Sequence, residues 1–270
     1  IYLMITVILN AYKRLNYLSD QLIAINSQSV KPSEIILWQN ESSEKKILNL
    51  DPNIKYIYSS YNFGVWARFA AALNSKNDYI CVFDDDTVPG VNWLKNCLET
   101  IQKKNGLLGT RGVRFASSKK YMVGEEFGWN NPNNEIKHVD IVGHSWFFKR
   151  EWLSYFWRDL PDFNQFNLVG EDIHFSYVLQ KYLGLKTYVP PHPINDKTMW
   201  GSKKQIAMEL GPDMNAISQN SHNINEMNKC YLNYLKKGFK INFENEFKYK
   251  KIYLENKATI GKHIKKFFNK

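Results

Sequence analysis

Tyr79-Ile80-Cys81-Val82-Phe83-Asp84-Asp85-Asp86 decides the fold, because a short apolar run leads straight into three carboxylates. The run reads as a strand bounded by a polar turn. In an open parallel sheet, ligands bind beyond the carboxyl ends of the strands, and Asp84, Asp85 and Asp86 take that position. Three adjacent carboxylates repel one another, so they are stable together only when solvated or neutralised. A divalent cation such as Mg²⁺ or Mn²⁺ is the hard-ligand solution. The plain alternative is a solvated turn or helix cap, where Asp is common. Spacing alone leaves both open.

Working outward, the first 115 residues alternate apolar β-rich runs with helical stretches, the mark of strands laid parallel with crossover helices. Tyr2 to Leu9 is a continuous apolar run fit for a buried strand. Leu15 to Asn26 carries Leu15, Leu18, Leu22, Ile23 and Ile25 at near-helical spacing, and Lys31-Pro32-Ser33 breaks the chain before a second strand, Glu34 to Trp38. A third strand at Tyr56 to Tyr58 and a helix at Val65 to Leu73 precede the acidic run. Beyond it, Phe115 to Asn134 is rich in Gly, Asn, Ser and charge and reads as an irregular loop, the kind of segment that carries sites. Val139 to Val142 reads as a strand, Arg150 to Trp157 as a short helix, and Asp172 to Tyr182 as a helix closed by Gly184. Lys186 to Val189 is a last strand, after which Pro190-Pro191-His192-Pro193 turns the chain into a polar segment reaching roughly to Asn223. The fold class is α/β, with a mostly parallel central sheet flanked by helices. One domain over 1–225 is expected, with halves 1–115 and 116–225, followed by a basic helical extension over 226–270.

The formal charge of +10 on 270 residues suggests a polyanion partner until its location is traced. Lys229 to Lys270 holds 12 Lys against three Glu, a balance of +9, so the body is nearly neutral. That argues against a nucleic-acid footprint on the folded part. Ile260, Ile264, Phe267 and Phe268 fall on one helical face beside Lys262, Lys265 and Lys266. Peripheral contact with an anionic membrane and simple packing on the domain are equally compatible with that pattern. No stretch has the roughly 18 apolar residues of a membrane span. Cys81, Cys97 and Cys230 are odd in number and lack metal-ligand spacing, which fits a reducing, cytoplasmic setting, possible membrane contact then being at the inner face. The chain begins with Ile rather than Met, so a piece of something longer is an open expectation.

Four segments in order resemble the family 2 glycosyltransferases: Ile5-Thr6-Val7-Ile8-Leu9-Asn10-Ala11-Tyr12-Lys13-Arg14; Gln28-Ser29-Val30-Lys31-Pro32-Ser33-Glu34-Ile35-Ile36; Asn62-Phe63-Gly64 with Ala67-Arg68; and Val82-Phe83-Asp84-Asp85-Asp86. Gly170-Glu171-Asp172-Ile173 resembles that family's Glu-Asp motif at a helix start, and the likeness extends over about residues 2 to 195. The resemblance implies a GT-A fold, a nucleotide-diphosphate sugar donor with UDP-sugar the default, Mn²⁺ or Mg²⁺, and a glycan, glycoconjugate or lipid-linked acceptor. Asp84 and Asp86 match the outer positions of the family's DxD motif, Asp86 as the direct metal ligand and Asp85 nearer sugar or ribose. Asn10, Tyr12, Arg14, Asn40 and Gly64 fall in the nucleotide pocket, with Arg68 near the diphosphate. Asp172 matches the catalytic base, Glu171 a residue for sugar or acceptor hydroxyls, and His192 a further metal ligand.

Several points stay open. Glu171 and Asp172 also suit the positive end of the helix they begin. In Gly143-His144-Ser145-Trp146, His144 is expected in the sugar pocket, where Gly permits close backbone approach, with Trp146 either beside it or in the core. Trp200-Gly201-Ser202-Lys203 reads as a mobile lid whose Trp stacks on a sugar, or as a solvated loop. Gln39-Asn40-Glu41-Ser42 places amides where the family has acidic residues, though an amide can still pair with a base edge. Trp38-Gln39-Asn40 and the Asp triplet also resemble exostosin-like transferases, which retain anomeric configuration, so inverting transfer with Asp172 as base has a retaining alternative. A non-enzymatic sugar-, RNA- or membrane-binding module is the other class. A sugar nucleotidylyltransferase lacks support, because no Gly-rich phosphate loop follows Leu9.

Overall fold

The computed structural model describes residues 4–42, 46–160, 166, 168–203 and 221–242. The strands are β1 (Ile5–Ala11), β2 (Glu34–Gln39), β3 (Ile54–Tyr58), β4 (Tyr79–Phe83), β5 (Gly106–Phe115), β6 (Val123–Gly128), β7 (Lys137–Val139), β8 (Ile141–Lys149) and β9 (Lys186–Val189). They form one sheet in the order β3-β2-β1-β4-β8-β5-β9-β7, with β6 paired to β5. The block β3-β2-β1-β4 is parallel throughout. β8 then runs antiparallel between β4 and β5, and β5 pairs parallel with β9. This is a mixed α/β sheet in which β1 to β5 and β9 share one direction.

The helices are α1 (Leu18–Asn26), α2 (Ala67–Ala72), α3 (Trp93–Lys103), α4 (Leu153–Phe156), α5 (Glu171–Leu183) and α6 (Ser221–Lys236). Ile5, Val7, Ile8 and Leu9 on β1, and Ile80 to Phe83 on β4, are fully buried, as strands covered on both faces must be. On one face Phe69 of α2 packs with Trp146, Phe148, Phe156 and Phe175, ring centroids 4.5 to 6.2 Å apart. α3 turns Trp93, Leu94, Cys97, Leu98 and Ile101 inward at helical spacing.

The expected loop over Phe115 to Asn134 contains β6, hydrogen-bonded to β5 from Arg111–Gly128 to Phe115–Val123. β5 itself escapes a sequence reading because its glycines resemble loop punctuation. Gly112 instead marks close packing: a Cβ there would lie 2.2 Å from Val189 Cγ2. The polar segment after His192 ends in α6, and the expected boundary at 225/226 falls inside that helix. Cys230, Tyr231 and Tyr234 of α6 belong to the main core, Tyr231 Oη donating to Ser117 O at 2.6 Å. All three cysteines are free and buried. Among the described residues no helix is long and apolar enough to cross a membrane. The amphipathic pattern at 260–268 lies outside the described residues.

Candidate active site

β1 and β4 are neighbours with Leu9 beside Phe83, so the turns that follow them emerge together. Asn10 Nδ2 donates to Phe83 O at 2.8 Å. Gln21, a buried amide on the apolar side of α1, donates to Asp84 O at 2.6 Å and Thr87 O at 2.9 Å. From β8, His144 O accepts from Asp84 N at 3.0 Å. The acidic turn is thus held through its backbone from both sides, leaving the carboxylates to face outward.

Each of those carboxylates carries an arginine. Arg14 donates Nη2 to Asp85 Oδ1 at 2.5 Å, Nε to Asp85 Oδ2 at 3.3 Å and Nη1 to Asp86 Oδ2 at 3.2 Å. Arg68 donates to Asp84 Oδ1 and lies 3.7 Å from Glu171 Oε1. Burial raises Asp85 to about 6 against the pull of Arg14. Burial also raises Asp86, but His144, Arg14 and Thr87 together overcome it and hold that group below the usual carboxylate range. Among the described residues Asp84, Asp86 and His144 can bring one ligand atom each within 4.8 Å of one another. His144 has a left-handed backbone at φ 63°, rare for a residue with a Cβ. Its Nδ1 is buried, makes no hydrogen bond among the described residues and stands 3.6 Å from Asp86 Oδ1.

Across the opening, α5 begins with Glu171 and Asp172. Gly170 caps it at φ 95°, and a Cβ there would lie 2.3 Å from Cys230 Sγ of α6, so only glycine suits the turn. Asp172 Oδ1 accepts from Ile173 N at 2.7 Å. Burial pushes Glu171 up to about 8, against Arg68, and Asp172 up to about 6, against its backbone hydrogen bonds.

Asn10, Tyr12, Arg14, Asn40, Gly64, Arg68, Asp84, Asp85, Asp86, His144, Glu171 and Asp172 all line one cavity of about 510 Å³. Other expected residues lie elsewhere. Trp146 is 1% exposed, and Arg68 stacks on its ring at 5.0 Å, so this indole supports a site cation from beneath instead of meeting a sugar. His192 is fully buried, its Nδ1 donating to Pro190 O at 2.8 Å and its Nε2 accepting from Gly201 N at 3.1 Å. Burial lowers it to about 4, and both nitrogens are used, so this geometry gives a neutral structural histidine and no metal ligand. Trp200 is 5% exposed, bonds Pro193 O through Nε1 and packs with Trp129, so it is not a lid. Asn40 lines the cavity, but its Oδ1 accepts from Trp38 Nε1 and Phe63 N, and its Nδ2 donates to Gly64 O. It shapes the 62–64 turn and does not offer its oxygen to a base edge. His144, expected beside the sugar, sits with the acidic turn.

Arg111 and Gln21 are among the site residues not singled out from sequence, as are Asn223 and Met227 of α6, which line the cavity. Arg111 of β5 lines the cavity, tied to Glu126 of the adjacent strand, and escaped because β5 did. Gln21 had a visible signal, a polar residue among Leu18, Leu22 and Ile25 on the inward side of a helix.

The family model described as Glycosyl transferase family 2 matches residues 6–175. Among solved structures, the chain is similar to S. aureus TarS, with TM-score 0.52 and 14% identity over 83% of this chain and 42% of that one. It is also similar to S. aureus TarS 1–349, with TM-score 0.50 and 15% identity over 87% of this chain and 73% of that one. A third is S. aureus TarS 1–349 in complex with UDP, with TM-score 0.51 and 14% identity over 70% of this chain and 58% of that one. The chain therefore spans less than half of the longer TarS. At such identities these likenesses bear on the fold. No curated protein matches significantly.

Proposed function

The chain belongs to glycosyltransferase family 2, and from that premise we propose that it moves a sugar from a UDP-type donor to an acceptor hydroxyl of a glycan or glycoconjugate, with a divalent metal and with inversion. The observation that carries this reading is the meeting in one cavity of two separated carboxylate sets, Asp84 to Asp86 and Glu171 with Asp172, that face each other across a cavity of about 510 Å³. A donor with UDP is further supported by the UDP complex of a structural neighbour.

Asp84, Asp86 and His144 would hold the metal. Carboxylate oxygens with one imidazole suit Mn²⁺ or Mg²⁺, and the buried Nδ1 of His144, 3.6 Å from Asp86 Oδ1, would be the imidazole ligand in its unprotonated form. A non-glycine residue kept at positive φ costs about 1–3 kcal/mol and persists where its surroundings over-determine it, and in the site we read that strain at His144 as part of the metal position. A bound divalent ion supplies charge neutralisation to a leaving diphosphate.

The protein's own groups do the rest. Tyr12 and Asn10 would border the nucleotide, and Arg68, which lines the same cavity and is steadied by Trp146, would offer a cation to the diphosphate. Asp172 takes the proton of the attacking hydroxyl as it adds to the anomeric carbon. A base raised to about 6 is mostly ionised at neutral pH yet still basic enough to accept that proton. Glu171, held largely protonated by burial, donates a hydrogen bond to a sugar or acceptor hydroxyl.

A thermal-shift panel of UDP, GDP and CDP with and without Mn²⁺, on the intact chain and on Asp86→Ala, tests this reading. A ligand that binds only the folded state raises the melting temperature by mass action, so no acceptor is needed. Metal-dependent stabilisation by UDP, lost in the variant, is expected. Stabilisation by none of the three would remove the donor reading.

A further inference from the structure

The acidic turn is already neutralised by protein, and the way Arg14 does it has a mechanistic consequence. Its guanidinium spans two neighbouring carboxylates, both oxygens of Asp85 and Oδ2 of Asp86. Arg14 is only 18% exposed in its side chain, and its two partners 15% each, so solvent screens these pairs weakly. Asp86 is at the same time one of the residues that would hold the metal, its Oδ1 turned to His144 at 3.6 Å. A divalent ion at Asp84, Asp86 and His144 would therefore sit against a fixed positive charge that shares its ligand.

Resting on the donor reading above, we infer that Arg14 is a stand-in cation. It satisfies Asp85 and Asp86 while the site is empty of donor, opposes metal entry on its own, and moves to the diphosphate when a metal–nucleotide pair arrives. The diphosphate is the one substrate group with enough negative charge to draw a guanidinium from two carboxylates, and it matches the planar donor fork of arginine. Arg68 cannot serve the same way, because it is packed on the Trp146 ring and shared between Asp84 and Glu171. Arg14 reaches the triplet from the turn after β1, with Lys13 beside it exposed, and stacks on no aromatic ring among the described residues.

The inference predicts effects of opposite sign from one substitution. In Arg14→Gln, Mn²⁺ binding without nucleotide, read from the free-ion electron paramagnetic resonance signal, tightens about tenfold, while UDP affinity at saturating Mn²⁺, read by calorimetry, weakens by a similar factor. Arg14→Lys, whose single ammonium cannot span both carboxylates, shifts Mn²⁺ binding in the same direction but less, and stands in should the glutamine variant fail to fold. Unchanged or weaker Mn²⁺ binding in both variants overturns the inference, because Arg14 would then only hold the carboxylates in place. The absence of Mn²⁺ binding in wild type and both variants overturns it equally. A wild-type chain that binds Mn²⁺ but no UDP removes the donor reading, and the stand-in role at Asp86 is then decided by the Mn²⁺ measurements alone.

Discussion

The two acidic groups of the cavity are built from the same residue types and prepared in opposite ways. Asp84, Asp85 and Asp86 follow a buried strand, are pinned through their backbone by Gln21 and His144, and each meets an arginine. Glu171 and Asp172 open a helix, feel one arginine each, Arg68 for Glu171 and Arg111 for Asp172, and owe their properties to burial. Charge partners hold Asp86 in its ionised form, which suits the proposed metal role. Burial without enough compensation lifts Glu171 and Asp172 toward neutrality, which suits the proposed proton-handling roles. Asp85 belongs to the first group yet rises to about 6, because in its case burial outweighs Arg14.

The sharpest way to separate the two groups is Asp172→Asn. It should lower sugar transfer about 10²–10⁴-fold, the range for loss of a general base, while metal-dependent UDP binding stays near wild type. In the wild type, transfer should rise with pH through about 6 as Asp172 loses its proton, and a rate profile flat across pH 5 to 7 would remove it as base. Equal loss of UDP binding in the variant would erase the distinction between the two groups.

A smaller effect is expected at the support of the second group. Gly170→Ala forces a Cβ toward Cys230 Sγ in a left-handed turn, and should destabilise the fold by about 1–3 kcal/mol in chemical denaturation. Transfer should fall more than UDP affinity does, because α5 and not the acidic turn is displaced.

The smallest effect is a gain. Glu171 has a folded value of about 8, above its ordinary 4.5, so the unfolded chain gives up that proton first and native stability falls as pH rises between those values. Glu171→Gln lacks this loss. Its melting temperature should exceed that of wild type by a few degrees at pH 8 and match it near pH 4.5. A variant less stable at pH 8 would mean that the ion pair with Arg68 outweighs burial.

Much of this organisation was legible in advance. The strand into Asp84, the helix begun by Glu171 and the parallel block all carry continuous apolar runs or helical periodicity, which depend only on local sequence. What was not legible depends on distant packing. β5 drew no strand reading because its glycines, which give close packing on Val142 and Val189 across the sheet, interrupt its apolar run. His192 and Trp200 looked like site residues because a histidine and a tryptophan in a polar segment have no visible neighbours, whereas in the fold each is consumed by Pro190, Gly201 and Pro193. His144 changed partners because its φ of 63° on β8, which no pattern announces, sets it beside Asp86.

The contact between Gly170 and Cys230 also bears on how this chain can be divided. Every carboxylate of the two acidic groups lies within residues 6–175, the stretch that defines the family, yet the floor beneath the second group comes from a helix at Ser221–Lys236. Anyone grafting, trimming or recombining this chain at the edge of the family match would carry over all five of these carboxylates and leave behind the helix that supports the turn before two of them. The natural unit for transplantation is therefore longer than the unit of recognition.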